Sequence, residues 1–356
     1  MDTRLDAELL RAMAAVAPGT LLRTGLDRIL MSGRGALIVM GDEPEILNIC
    51  SGGFLLDAAF SPQRLSELAK MDGAIILASD LSRIARANVH LVPNPSVQTS
   101  ETGTRHRTAE RVSRSLNTTT VAVSESRKEI QLYVGDQVHH LSSASRLLER
   151  SDQAIKTLER YRARLDTITK NLNVLEVQDL VTVREVVEVL QRMEMVVRIS
   201  DEIDRNLVEL GSDGRLVQMQ RDELMVGVKG ARRMVLEDYL CPNGPESIDE
   251  AIDHLATLDD DALFDDELLA GSFGLGGDSL DLDGHVSPRG LRLLSKLPRV
   301  NPDVVARVVA RFDHLVKILE ATTDEFESIE GVGPRRAKEL KDGTCRLTES
   351  TILDRF

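Results

Sequence analysis

The sequence predicts an α/β domain, then an all-α helical spine, then a small helical tail. Three observations carry this. Over residues 1–142, short apolar runs alternate with amphipathic segments. From 143 to about 240, apolar residues recur at steps of three, four and seven. Near the end, "LPRVNPDVVAR" (297–307) aligns with "IEGVGPRRAKE" (329–339) at an offset of 32. A chain of 356 residues also exceeds one ordinary hydrophobic core, so two or three domains are expected.

The elements follow in order. "LDAELLRAMAAVA" has apolar residues at helical spacing, and "GALIVMG" (35–41) is a short buried strand closed by glycines. "SPQRLSELAKM" opens a helix with Ser61 as N-cap and Pro62 at the first helical position. "DGAIILASD" (72–80) reads as a central strand, and "TRHRTAERVSRSL" as a helix capped near Thr104. "TTTVAVS" (118–124) is a β-branched strand, and "EIQLYVGDQVHHL" a hairpin turning at Gly135 and Asp136. In the spine, Leu148, Ile155, Leu158, Leu165, Ile168, Leu172 and Leu175 mark one long helix. Val186, Val189, Met193, Val196, Ile203, Leu207 and Leu210 mark a second. A third runs from about Arg215 to Tyr239, and Ser247 with Glu250 forms a capping box for a further helix.

The segment 259–288 is acidic and Gly-rich. No strand precedes its "GLGG", and its "DLDG" lacks spaced calcium ligands and a closing Glu. It reads as a solvated, partly flexible connector. In the tail, Leu297 matches Ile329, Val300 matches Val332, Pro302 matches Pro334 and Val305 matches Ala337. Each copy reads as helix, tight hairpin, helix. Thr322 with Glu325 caps the helix entering the second hairpin. The domains expected are therefore 1–142, 143–288 and 289–356.

Composition narrows the function. Aromatics are 3% of the chain and Trp is absent, which argues against a base-stacking platform. Met1 to Pro18 has neither a basic start nor a long apolar run, so no signal peptide is expected, and no run approaches a membrane span. Cys50, Cys241 and Cys345 are odd in number and scattered, which fits a reducing cytoplasm. The formal net charge is −14, yet from Arg289 onward it is +2, leaving −16 on the preceding residues.

Against this acidic background, "GTRHRTAER" (103–111) sets Arg105, His106 and Arg107 side by side. Phosphate is the natural partner, but the chain has neither a P-loop nor a dinucleotide fingerprint. Arg105, Ala109, Val112 and Leu116 fall on one helical face. Arg105 therefore lies inward at the first turn, flanked by Thr108, where unpaired amides suit a triphosphate. Arg107, Arg111 and Arg114 lie more outward, the last two forming an exposed charged surface with Glu110. Phosphoryl transfer also needs a carboxylate. Asp72 is a candidate, though taken alone it reads as a turn residue opening a strand. Gly73 and Ala74 leave room for a flat base or sugar. Ser124 and Glu125 add a hydroxyl and a second acid.

In "GVGPRRAKEL" (331–340), Gly331 and Gly333 let the turn adopt positive φ, and Pro334 suits a first helical turn. The amides that follow, with Arg335, Arg336 and Lys338, suit a nucleic-acid backbone. Paired hairpins of this kind resemble the tandem helix-hairpin-helix domain of DNA-repair proteins. The first copy has Arg299 and Asn301 in place of the glycines and is expected to be mainly structural.

"DGA" at 72–74 and "GTRHRTAE" at 103–110, in order within an α/β domain, resemble the diadenylate cyclase family. The likeness extends through the spine and hairpin tail, with 259–288 unmatched. The resemblance implies that two ATP molecules are joined into cyclic di-AMP with release of pyrophosphate and with Mg²⁺ or Mn²⁺. It implies that Asp72 assists the attacking 3′-hydroxyl, through the metal, and that Gly73 and Leu91 contact the nucleotide. Thr104, Arg105, His106, Arg107 and Thr108 would hold phosphates and ribose, and Ser124 would touch the terminal phosphate. It further implies face-to-face cyclase domains within a homooctamer, and a tail at which branched DNA suppresses synthesis. Two other readings are a non-catalytic, nucleotide-sensing binder of DNA junctions and a helical oligomerisation scaffold. Intact Asp72 and Arg-His-Arg argue against the first, and the Gly-Val-Gly hairpin argues against the second.

Overall fold

The computed structural model describes residues 3–240, 244–275, 281–298 and 300–353. Contacts divide the chain into two compact units, Met1–Ile155 with Glu202–Gln220, and Lys156–Asp201 with Arg221–Phe356.

The first unit opens with α1 (Thr3–Ala15), α2 (Leu21–Met31) and β1 (Ala36–Met40). Then come α3 (Pro44–Asn48), β2 (Cys50–Ser51), β3 (Phe54–Ala59), α4 (Pro62–Leu68), β4 (Ala74–Leu77) and β5 (Arg83–Leu91). Next are α5 (Thr104–Leu116), β6 (Thr119–Ser124), β7 (Glu129–Val134) and β8 (Gln137–Leu141). The strands form one mixed sheet in the order β2-β5-β4-β1-β6-β7-β8, with β3 also paired to β5. β1 and β4 run parallel, and the remaining pairs are antiparallel.

Strand alternation sorts the core. Ile38, Ile75, Leu77, Ile84, Val121 and Val123 face Leu22, Leu26 and Ile29 of α2 and Leu65 of α4. Leu37, Val39, Ile76, Val89 and Ala122 face Ala109 and Val112 of α5 and Ile46 of α3. Both faces are therefore covered by helices, which is the α/β arrangement expected. Ser61 caps α4 by accepting from the Arg64 amide at 3.2 Å, with Pro62 opening the helix. β4 is interior, as its unbroken apolar run predicts.

The period of two did not reveal β2, β3 or β5. Arg83 and Arg86 interrupt the apolar pattern of β5, and Asn88 sits at φ 56 where the register slips. On β3, Phe54 and Leu55 are exposed, so its hydrophobic residues mark no buried face.

The spine is helical, with α6 (Ala144–Gln178) and α7 (Val183–Leu210), and Val186, Val189, Met193, Val196, Ile203 and Leu210 are buried. The single helix expected over 215–239 is instead two, α8 (Arg215–Met225) and α9 (Val228–Tyr239). Gly227 breaks it in the left-handed region at φ 76.

The second unit continues through α10 (Ile248–Thr257), α11 (Asp260–Phe264) and α12 (Asp266–Ser272). Ser247 caps α10 through the Glu250 amide, but the Glu250 carboxylate returns to the amide of Glu246, so the box is only half formed. The connector reading of 259–288 is corrected here. Asp259 and Asp265 cap two short helices, and Leu263, Leu269, Ala270, Phe273 and Leu275 are buried. Acidic residues set the composition, yet they serve as caps while the intervening apolar residues pack. Residues 276–280, within "GLGGDSL", lie outside the described residues.

The tail comprises α13 (Leu291–Leu294), α14 (Pro302–Phe312), α15 (Leu315–Glu320), α16 (Thr323–Glu327) and α17 (Pro334–Leu353). Prolines open α14 and α17 at the aligned positions 302 and 334, and the Thr322–Glu325 capping box is complete. Leu297, Val304, Val305, Val308, Phe326, Ile329 and Val332 share one core.

Candidate active site

The site gathers at the start of α5. Gly103 precedes the helix and makes no side-chain cap, so the amides of the first turn are left for a ligand. Thr104 is the first helical residue and not the cap the sequence suggests. The inward face is as expected: Ala109 and Val112 are fully buried, and Arg105 is half-buried at their head.

Two clefts meet at Thr104 and Arg105. One, of about 330 Å³, is lined by Asp72, Gly73, Ala74, Leu91, Thr104, Arg105 and Thr108, together with Leu37, Val89 and His90. The other, of about 620 Å³, takes in Thr104, Arg105, His106 and Ser124, with Glu101, Glu125 and Arg127 among its other walls. Every residue expected at the nucleotide site lines one cleft or the other except Arg107. Arg107 is exposed and lines neither, which agrees with its outward helical position.

The β4 end is shaped by Gly73, at φ +105. A Cβ there would stand 2.8 Å from the carbonyl carbon of Asn88 and 3.0 Å from the Val89 amide. Only glycine allows the chain to pass so close to β5. This close pass sets Asp72, an exposed residue, at the cleft wall. Ser124 is buried at the end of β6, where its Oγ accepts from the Arg127 amide at 3.2 Å and closes the turn to β7.

His106 has a buried Nε2 with no hydrogen-bond partner among the described residues. Burial pulls its imidazole below the ordinary 6.5, opposed by nearby Glu101 and reinforced by Arg127 and Arg105. It is therefore neutral at pH 7, with an unsatisfied polar atom beside the cleft, and an incoming anionic group would favour its protonation.

Three supports escape sequence reading. Gly35 gives up its side-chain space to Arg105, because a Cβ there would sit 2.9 Å from the guanidinium carbon and 3.1 Å from the Val123 carbonyl oxygen. The fully buried Tyr133 donates to Glu101 Oε1 at 3.0 Å, fixing a carboxylate that lines the cleft with His106; burial and the adjacent carboxylates keep the phenol protonated. The third is Glu110. It was expected on an exposed charged surface, but it is only 1% exposed. It accepts from the Thr99 hydroxyl, from the Ser100 amide at 3.2 Å and from Arg114 at 3.0 Å. The strand-to-helix loop folds back over α5 and encloses it, a long-range event that helical position does not show.

Gly35→Ala should fold, since the most displaced atoms belong to a flexible arginine and the Val123 carbonyl need give by only a few tenths of an ångström. It should weaken nucleotide binding about 10-fold or more, on the order of 1.5–3 kcal/mol for a charged hydrogen-bonding group. Nucleotide titration alongside a thermal melt checks this.

Among the described residues no cluster of three or more His, Cys, Asp or Glu could hold a metal. Asp72 lines the cleft alone as a carboxylate. That donor set fits a Mg²⁺- or Mn²⁺-type ion held jointly by one carboxylate and substrate phosphates, and not an all-protein cage.

In the second unit, Gly333, Arg335 and Arg336 line a shallow depression with Pro334 and Glu339, and Lys338 is exposed nearby. Gly331 adopts φ +78 as expected, whereas Gly333 is not in the left-handed region. A Cβ on Gly333 would meet nothing within 4 Å, so turn geometry does not demand glycine there. Asn301 caps α14 through the Asp303 amide at 3.1 Å, a structural use that fits the expectation for the first copy; Arg299 lies outside the described residues.

Residues 23–138 match the family model of the DisA bacterial checkpoint controller nucleotide-binding region, and residues 141–281 match its linker region. The fold and paired clefts thus belong to a nucleotidyltransferase of the diadenylate cyclase class. DNA integrity scanning protein DisA of Frankia alni is 48% identical over 346 residues, covering 97% of this chain and 96% of that one. The Streptomyces coelicolor protein of that name is 47% identical, covering 99% and 95%, and that of Kineococcus radiotolerans is 48% identical, covering 100% of both. The chain belongs to the DisA family of DNA integrity scanning proteins. A crystal structure of DacA from Staphylococcus aureus is similar over 40% of this chain and 91% of that one, at 24% identity and a TM-score of 0.29. No helix among the described residues is long and apolar enough to cross a membrane.

Proposed function

We propose that this enzyme condenses two ATP molecules into cyclic di-AMP and two pyrophosphates across a face-to-face pair of subunits. The observation that carries the reading is the junction of the two clefts at Thr104 and Arg105, with Asp72 on one wall and His106 and Ser124 on the other. Adenosine occupies the cleft of Gly73, Ala74 and Leu91. The triphosphate runs over the α5 N-terminus toward Ser124, held by Arg105, Thr104, Thr108 and the protonated His106. Arg107, pointing outward, reaches the nucleotide of the facing subunit.

The 3′-oxygen of one ATP attacks the α-phosphorus of the other. The P–O bond to the β-phosphate breaks, pyrophosphate leaves, and the hydroxyl proton passes toward Asp72 or water. A second, identical step closes the ring. A Mg²⁺ or Mn²⁺ ion, when bound, supplies charge neutralisation for the attacking and leaving oxygens. Two polyanions must meet, so cationic side chains have to offset their repulsion. The in-line geometry requires both nucleotides to be held, which a symmetric dimer supplies and a monomer does not. The homooctamer, the cytoplasmic setting and the division at residues 142 and 288 complete the reading.

In the tail, Gly331, Gly333, Arg335, Arg336 and Lys338 bind the backbone of branched DNA and lower synthesis. Arg335 is 92% exposed at its side chain, and the open space at Gly333 leaves its backbone approachable. Gly333→Leu should fold as the parent does yet lose about 10-fold or more in affinity for a four-way junction, read by gel shift; unchanged affinity would refute the hairpin as the contact. The decisive experiment for the enzyme is product analysis with ATP and either metal. Cyclic di-AMP formed by an oligomer and lost on dilution to monomer supports the mechanism, and full-rate synthesis by a monodisperse monomer contradicts it.

A further inference from the structure

A larger cleft lies in the second unit and shares no lining residue with either site above, although α17 borders both it and the hairpin depression. It encloses about 690 Å³ between α6, the turn after α13, and α17. Lys170 comes from α6, Lys296 from the turn and Arg346 from α17. None of the three forms an ion pair with a carboxylate among the described residues. Asp166, the one acid lining the cleft, is already paired to Arg162 at 3.0 Å. In a chain of net charge −14, three unpaired cations converging on one concavity call for an explanation.

The floor beneath them is a buried ion pair, Arg292 with Glu176. Arg292 is 3% exposed, donating to Glu176 and to Asn173 Oδ1, both at 2.6 Å. Lys296 donates to the same Asn173 oxygen at 3.2 Å. That oxygen is committed to two cations, and only the amide N–H₂ of Asn173 remains for a further partner. Much of the Lys296 side chain is in solvent, but its ammonium is crowded by protein and repelled by Arg292, with Glu176 offsetting part of this, and is pulled down to about 8. An anion in the cleft relieves that repulsion. Leu293, Leu297 and Leu347 add apolar lining. Gly343 lets α17 close against it, since a Cβ there would stand 3.3 Å from Leu297 Cδ2.

We propose that this cleft is a binding site for an organic phosphate of nucleotide size, its phosphate on Lys170, Lys296 and Arg346 and its organic part on Leu293, Leu297 and Leu347. Its volume lies within the range of small-molecule sites, and apolar lining combined with a few convergent polar groups is how such sites hold and orient a ligand. A DNA backbone would instead be met by cations on an open surface, without apolar lining. The inference does not depend on the cyclase mechanism.

Lysine acylation of the full chain, read by peptide mass spectrometry, tests it site by site, so nucleotide bound elsewhere does not interfere. ADP should lower acylation of Lys170 and Lys296 several-fold, at concentrations about 10-fold or more below the inorganic phosphate needed, and leave Lys229 unchanged. In Arg346→Gln, with unaltered far-UV circular dichroism, the ADP required should rise about 10-fold or more. No protection by ADP overturns the proposal. Equal protection by ADP and phosphate reduces the cleft to an unspecific anion patch and also overturns it. Protection by a DNA duplex where ADP gives none makes the cleft part of a DNA interface and does the same.

Discussion

Asp72→Asn should lower cyclic di-AMP synthesis by about 10³-fold or more, roughly 4 kcal/mol of transition-state stabilisation, with ATP still bound. The change is nearly isosteric and falls on an exposed residue after which the chain passes close to β5, so the fold has no reason to move. What is lost is a full negative charge at the cleft wall, where the proposed mechanism would hold a metal and the attacking 3′-oxygen. Binding should survive because the contacts expected to hold the triphosphate, Thr104, Arg105 and Ser124, lie on the α5 side. Single-turnover product formation alongside equilibrium ATP binding separates the two effects. A variant with weakened binding but a normal chemical step would remove Asp72 from the chemistry. DNA binding by the same variant should be unchanged, because the residues proposed for it lie in the other unit.

Glu110→Ala should be the most damaging change for stability in the first unit, costing about 3 kcal/mol or more. The carboxylate is buried, and its removal strands the Ser100 amide, the Thr99 hydroxyl and one arm of Arg114 without their acceptor. Arg114 keeps a contact to Asp136 at 3.2 Å, which limits the loss on that side. The larger consequence is for the loop. Residues 99–101 are tied to α5 through this side chain, while Arg111 and Arg114 hold the preceding carbonyls of Val97 and Gln98, and the loop leads directly into Gly103 and Thr104. Released, it should loosen the phosphate cleft and raise the ATP concentration needed for half-maximal rate. Glu110→Gln keeps one acceptor and should lose less on both counts. A thermal melt and an ATP saturation curve for the two variants check the order. A Glu110→Ala protein that melts with the parent would show that the loop stands by itself.

Local chemistry made much of this molecule legible in its sequence. The periods of two and 3.6, the Ser61, Ser247 and Thr322 caps and the prolines opening α4, α14 and α17 all act within a few residues. They hold whatever the rest of the chain does. The same is true of the inward face of α5, which placed Arg105 at the cleft and Arg107 outside it. Where the local signal was mixed it misled. Arginines hid β5, a glycine split the helix expected over 215–239, and acidic caps disguised two packed helices as a connector.

What only the tertiary structure decided depends on groups distant in sequence meeting in space. Glu110 becomes buried because a loop ten residues earlier folds over it. Gly35 matters because a guanidinium from residue 105 needs the space its side chain would fill. The two clefts share Thr104 and Arg105 because β4, β5 and β6 bring Asp72, Leu91 and Ser124 around one helix end. The cations of Lys170, Lys296 and Arg346 converge from two helices and a turn in the same way. Pattern and capping are properties of neighbouring residues and can be read along the chain. Desolvation, close approach and charge convergence are properties of the packed molecule, because they exist only once water has been excluded and the distant segments have met.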